Sequence, residues 1–160
     1  MEKQSSTSCP FCDETIRRAQ FAESDNFRAI YNLAPVLPGH SLVISKRHVQ
    51  SLMDLTENEL GEMMLFARKV VRALGKTFQA AAFDLTIQDG EAAGQTVPHL
   101  HLHLIPRLPA DLPAPGDWYP LLQKSQAESV DSELRVRLTP GQMDGIVKKI
   151  TADWPMIDAV

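Results

Sequence analysis

The run His99-Leu100-His101-Leu102-His103-Leu104-Ile105 constrains this chain more than any other stretch. Strict alternation is the period of a β-strand, in which successive side chains point to opposite faces. All three imidazoles therefore point one way, and Leu100, Leu102 and Leu104 the other. The leucines need a second layer, and the chain holds one clear candidate. Thr56 and Glu59 form a capping-box pattern, after which Leu60, Met63, Met64, Ala67, Val70, Val71 and Leu74 recur at helical spacing. The plain account of the other face is a polar surface in water. That account suits one histidine; three in register, out of five in the chain, point to chemistry.

Residues 27–32, 41–45 and 83–88 read as further strands, with 99–105 carrying the histidines. A charged, helix-like stretch follows Cys9-Pro10-Phe11-Cys12, and Pro35-Val36-Leu37-Pro38-Gly39 forces a sharp connection. Gly75 is an early stop for the long helix, although its pattern runs on to Phe78. The Pro-rich residues 106–120, carrying Trp118 and Tyr119, read as an irregular loop. Thr139, Pro140 and Gln142 then cap a last helix reaching about Ile150. The expected fold is α+β: an antiparallel sheet of about five strands with one long and one or two short helices. One domain is expected over residues 1–160, with its core at 9–107 and a C-terminal loop and helix at 108–160.

Composition narrows the function classes. At 160 residues, 44% hydrophobic and 22% charged, the chain can bury a core without disulfide staples. A net charge of −4 argues against a broad nucleic-acid or anionic-membrane surface, while leaving room for a local anion pocket. The apolar runs are too short to cross a bilayer, and residues 1–8 are polar without a signal-like stretch. A cytoplasmic protein is the expectation.

One ion cannot readily hold the whole histidine row, because its ends lie ~13 Å apart along a strand and metal–nitrogen bonds are only ~2 Å. Divided labour fits better. A neutral imidazole is a good nucleophile toward phosphorus when its other ring nitrogen is held by an acceptor. A second ring beside it can stabilise charge on phosphate oxygens. The Cys9/Cys12 pair admits three readings: a redox motif, two unligated thiols, or half of a structural metal site. The metal is favoured, since Cys9 comes too early for a preceding core strand and His48 and His99 are candidate partners.

Residues Gly94-Gln95-Thr96-Val97-Pro98-His99-Leu100-His101-Leu102-His103-Leu104-Ile105 resemble the histidine-triad signature. Gln88-Asp89-Gly90, Asn32 and Pro38-Gly39-His40 resemble the fragile-histidine-triad branch, and the resemblance covers about residues 9–107. It implies nucleotidyl transfer, with His101 as the nucleophile, His103 on phosphate oxygens and Gln95 near the leaving group. Gly94, Gln95, Thr96 and Val97 would line the phosphate site, while Asn32 would bond the ribose. Gln88 would contact phosphate or ribose, Ile30 and Phe11 would form a base slot, and His40 would support the triad. The implied substrates are dinucleoside polyphosphates. Nucleoside phosphoramidates or aminoacyl adenylates are the alternative, and a slow-turnover nucleotide sensor is a third reading.

Prokaryotic members of this family that carry such a C-x-x-C pair bind structural zinc; the residues in those places here are Cys9, Cys12, His48 and His99. The fragile-type branch usually lacks these cysteines. The resemblance also implies a homodimer, and any divalent cation would arrive with the substrate phosphates, since no carboxylate cluster suggests a magnesium cage. The loop holding Trp118 and Tyr119 is expected to be plain surface rather than a stacking lid.

Overall fold

A computed structural model of the chain describes residues 9–127 and 137–154, so the polar leader lies outside the described residues. Five strands, β1 (Gln20–Glu23), β2 (Phe27–Tyr31), β3 (Ser41–Ser45), β4 (Ala82–Thr86) and β5 (His101–Arg107), form one sheet ordered β1-β2-β3-β5-β4. Every neighbouring pair is antiparallel, as the alternating patterns lead one to expect.

β1 is not visible in the sequence. Its only apolar residues, Phe21 and Ala22, are adjacent rather than alternating, and both are buried. Before it, the expected charged helix-like stretch is a short 3-10 helix, Glu14–Ala19, capped by the Asp13 side chain.

The leucine face finds its helix. α1 (Glu57–Phe78) opens with both halves of the Thr56/Glu59 capping box, a device worth about 1 kcal/mol. It passes Gly75 and ends at Phe78, with Gln79 in the left-handed region at φ 56°. Met63, Phe66, Ala67, Val70, Ala73 and Leu74 are buried along it. They face the sheet layer on which Ala29, Val43 and Leu102 stand opposite one another. Each fully buried leucine contributes roughly 2 kcal/mol to such a core.

β5 starts two residues later than the alternation suggests. His99 precedes the strand, because Leu100 is tied back through its N–H to the Val49 carbonyl at 2.7 Å. At the other end the strand runs on through Pro106, which stands opposite Phe83 on β4. β3 pairs with β5 only as far as Leu104, so beyond that point the proline breaks no ladder on the β3 side. Leu85, on the apolar side of the expected pattern, is 45% exposed because β4 is the sheet edge.

The tail of the Pro-rich segment is helical rather than irregular. α2 (Trp118–Ala127) begins at Trp118 and buries Leu122. α3 (Pro140–Asp153), capped by Thr139 and Gln142 with Pro140 in its first turn, packs on α1 and β1. No described helix is long and apolar enough to cross a membrane.

Candidate active site

The register sets one row of side chains across the sheet face opposite α1. Ile30 stands opposite Leu42, and Leu42 opposite His103. On that face lies a partly enclosed cavity. Ile30, Asn32, Leu42, His101 and His103 line it from the sheet side, Pro10, Phe11 and Ile16 from the N-terminal segment, and Thr96 and Val97 from the loop before β5. Leu33, Leu122, Ser125, Gln126 and Arg137 complete the lining. The expected site residues Phe11, Ile30, Asn32, Thr96, Val97, His101 and His103 thus meet at one cavity.

The hydrogen bonds assign each imidazole its tautomer. The His101 Nδ1–H donates to the His99 carbonyl at 2.7 Å, leaving a lone pair on Nε2. For His103 the assignment begins at a backbone donor, which has no freedom. The Val36 N–H donates to His40 Nδ1 at 3.2 Å, so the proton of a neutral His40 sits on Nε2. That Nε2–H donates to His103 Nδ1 at 3.0 Å, which places the His103 proton on its own Nε2. His103 Nε2 is buried and meets no protein acceptor. The cavity therefore presents one imidazole with an available lone pair and, 4.9 Å away between ring centroids, one with an unspent donor.

Burial favours the neutral form of both rings. Burial pushes the His101 imidazole below its ordinary value, partly opposed by its bond to the His99 carbonyl. Burial, then the neighbouring His40 and His101, hold His103 well below the ordinary range. Neutral His101 is the nucleophilic form, and a neutral donor at His103 can meet a phosphate oxygen.

Asn32 is buried beside His40, with its Oδ1 accepting from the Ala34 N–H at 3.0 Å and its Nδ2 3.3 Å from His40 Nε2. Gly94 adopts φ +92°, and an added Cβ would lie 2.8 Å from Gln88 Nε2. Gln88 is buried behind that loop and does not line the cavity; its Oε1 accepts from Gln126 Nε2 at 2.8 Å. Gln95 is turned elsewhere. Its Nε2 donates to the Gln50 carbonyl at 2.9 Å and its Oε1 accepts from the Gly90 N–H at 2.8 Å. These bonds hold it outside the cavity lining, so the structure does not bring it to the imidazoles. Trp118 and Tyr119 also lie outside that lining.

A second cluster adjoins the first. One ligand atom from each of Cys9, Cys12, His48 and His99 falls within 4.8 Å of the others, a group that could hold a metal ion. The His99 Nε2–H donates to the Ser45 carbonyl at 2.8 Å, which leaves Nδ1 as the ligand atom. Nδ1 lies 3.3 Å from Cys9 Sγ and 3.5 Å from Cys12 Sγ. Two thiols and two imidazoles, one oriented by a carbonyl, are a donor set suited to a closed tetrahedral site. The two clusters share a wall. Phe11 packs edge-on against both His99 and His101, with centroids 5.6 and 5.3 Å away.

Several lining residues escape sequence reasoning. Leu42 could have been found from strand parity with Ile30 once the β2–β3 pairing was drawn. Leu122, Ser125, Gln126 and Arg137 carry no local signal, because they reach the cavity only through the placement of α2 and the residue pair before α3.

Comparison with known proteins supports the same grouping. The family model described as HIT domain matches residues 14–110. The chain is 48% identical over 98 residues to a bis(5'-nucleosyl)-tetraphosphatase [asymmetrical] of Schizosaccharomyces pombe, covering 61% of this chain and 54% of that one. It is 39% identical over 114 residues to a bis(5'-adenosyl)-triphosphatase of Dictyostelium discoideum, covering 67% and 76%. The chain thus spans about half the length of the first relatives it matches. Among solved structures, a Zn-bound histidine triad family protein from Mycobacterium smegmatis aligns with a TM-score of 0.69 and 27% identity, covering 95% of this chain and 96% of that one.

Proposed function

The chain belongs to the HIT domain family, and on that premise we propose that it hydrolyses dinucleoside polyphosphates at the α-phosphorus. The observation that carries the reading is the pairing of tautomers: His101 with a lone pair at Nε2, His103 with a donor at Nε2, both lining one cavity. The tetra- and triphosphatase names of the relatives favour the polyphosphate class.

The reaction proceeds in two displacements. The His101 Nε2 lone pair forms an N–P bond as the bridging P–O bond breaks, and the electron pair leaves with the departing nucleotide. His101 Nδ1–H stays on the His99 carbonyl throughout and holds the ring in line. His103 Nε2–H donates to an α-phosphate oxygen and offsets the charge gathering there. Water then attacks phosphorus, its proton passes to solvent, and the N–P pair returns to Nε2. Nucleoside monophosphate is released. Ile30 and Phe11 supply apolar walls for the base, and Asn32 stands at the same wall for the ribose. Gln88 supports the loop of Gly94, Thr96 and Val97 rather than touching the reacting atoms.

Zinc is the metal the Cys9, Cys12, His48 and His99 donor set suits best, and a Zn-bound relative of the same fold supports it. When bound there it supplies a cross-link between the N-terminal segment and the end of the histidine strand, with no open position for substrate. Any divalent cation would be held by the substrate phosphates rather than by a carboxylate cluster of the chain. Exposed Leu60, Met64 and Leu65 on α1 support pairing with a second copy of the chain.

The test is a substrate panel with a chemical trap. Diadenosine tri- or tetraphosphate, quenched under acid-free conditions, should leave one nucleotide mass on the peptide carrying His101. His101→Ala should lower turnover by roughly 10³-fold or more while nucleotide binding persists. Faster turnover of nucleoside phosphoramidates would shift the substrate class, and binding with no turnover of either would make the protein a sensor.

A further inference from the structure

Arg137 is a cation on the wall of a cavity otherwise lined by apolar groups, neutral imidazoles and small polar side chains. Among the described residues it makes no ion pair and no side-chain hydrogen bond. In a chain of net charge −4, a guanidinium on such a wall without a described carboxylate partner is available to a ligand anion.

Its backbone is pinned on the C-terminal side. The Leu138 N–H donates to the Leu33 carbonyl at 3.2 Å, which ties this point to the residue following Asn32. Immediately afterwards Thr139 caps α3. The facing wall is fastened as well, through buried Leu122 and the Gln126–Gln88 amide bond of 2.8 Å. Arg137, Leu122 and Gln126 all lie outside the residues matched by the family model.

The ends of the cavity differ in what they offer. The α-phosphorus must approach His101 Nε2, where His103 Nε2–H already supplies a donor to its oxygens. Arg137 is an exposed residue of the lining, so its long side chain can meet charge that projects from the cavity toward solvent. We propose that Arg137 binds the phosphates beyond the α-phosphorus and thereby selects polyphosphate substrates over those with a single phosphate. This rests on the hydrolase reading above for the position of the α-phosphorus, and it makes Arg137 a specificity residue rather than a nucleophile or acid.

The experiment compares wild type, Arg137→Gln and Arg137→Lys, all with metal bound. Substrates are diadenosine tetraphosphate and adenosine 5'-phosphoramidate, which lacks distal phosphates. Arg137→Gln should lower kcat/KM for the tetraphosphate by roughly 10-fold or more and change that for the phosphoramidate by less than about 2-fold. Arg137→Lys, keeping charge but losing the bidentate fork, should fall between. Equilibrium binding gives an independent readout: the preference for ATP over AMP in wild type should shrink in Arg137→Gln. Equal losses on both substrates would assign Arg137 to the nucleoside or to folding, and no loss on either would leave it a surface arginine; both overturn the proposal. If wild type hydrolyses neither substrate, the catalytic reading fails, while the ATP-to-AMP binding ratio still decides this one.

Discussion

His40 Nε2 lies 3.0 Å from His103 Nδ1, and this one bond decides which face of the His103 ring carries its proton. Because the Val36 N–H occupies the other nitrogen of His40, the backbone dictates the tautomer of a ring at the cavity two steps away. His40→Phe should leave a buried acceptor unsatisfied, costing about 1–3 kcal/mol of stability. It should also lower kcat more than it raises KM. Two-dimensional nitrogen correlation spectra would show His103 as a tautomer mixture, and His40→Gln, which restores a donor, should recover part of the loss. A single retained His103 tautomer in His40→Phe would sink this account.

The neutral state of His103 links stability to pH. Its folded value lies well below the ordinary imidazole value, whereas the unfolded chain titrates near about 6.5. Below that pH the unfolded chain takes up a proton that the folded chain refuses. Stability is therefore fully present above about 6.5 and drains away as pH falls toward the folded value. Denaturant midpoints measured at intervals from neutral to mildly acidic pH should decline, and His103→Asn should flatten that decline in metal-loaded protein.

Metal removal should act on the frame more than on the reaction. Chelation, or Cys9→Ser, should lower Tm by at least about 6 °C, corresponding to roughly 2 kcal/mol for a chain of this size. The rate of nucleotidyl transfer to His101 in single-turnover experiments should fall less. Unchanged thermal stability in metal-free protein would remove the structural role.

Gly39 is fixed by both its conformation and its neighbours. It adopts φ +89°, and an added Cβ would lie 2.6 Å from Pro106 Cγ. Gly39→Ala should destabilise by about 1–3 kcal/mol and, because His40 follows directly, should disturb the His103 tautomer too. Calorimetry and the same nitrogen spectra check both consequences.

The antiparallel class of the sheet and the paired rings were legible because alternation is a local property: His101 and His103 advertise their shared face in five residues. The long helix was legible for the same reason, its Thr56 cap and apolar stripe being contiguous in sequence. β1 was hidden, since Phe21 and Ala22 give no period and only pairing with β2 makes them a strand. α2 was hidden behind its prolines, although Pro120 falls in the first turn of that helix, where a missing N–H costs nothing. Where Gln95 points was not legible, because a loop glutamine beside a triad carries no record of where its amide will turn. It found Gln50 and Gly90 instead.

Phe11 sits between the two thiols in sequence and between the rings of His99 and His101 in space. Pro10, the other residue enclosed by the thiols, borders the cavity as well. The two positions are consequently answerable to both neighbours at once: on the proposed hydrolase reading, a substitution there would retune which nucleobase is accepted without altering either imidazole, but only within shapes that still let the cysteines converge. Evolution, or an engineer, seeking new selectivity has a two-residue handle whose range is set by the need for the two thiols to converge.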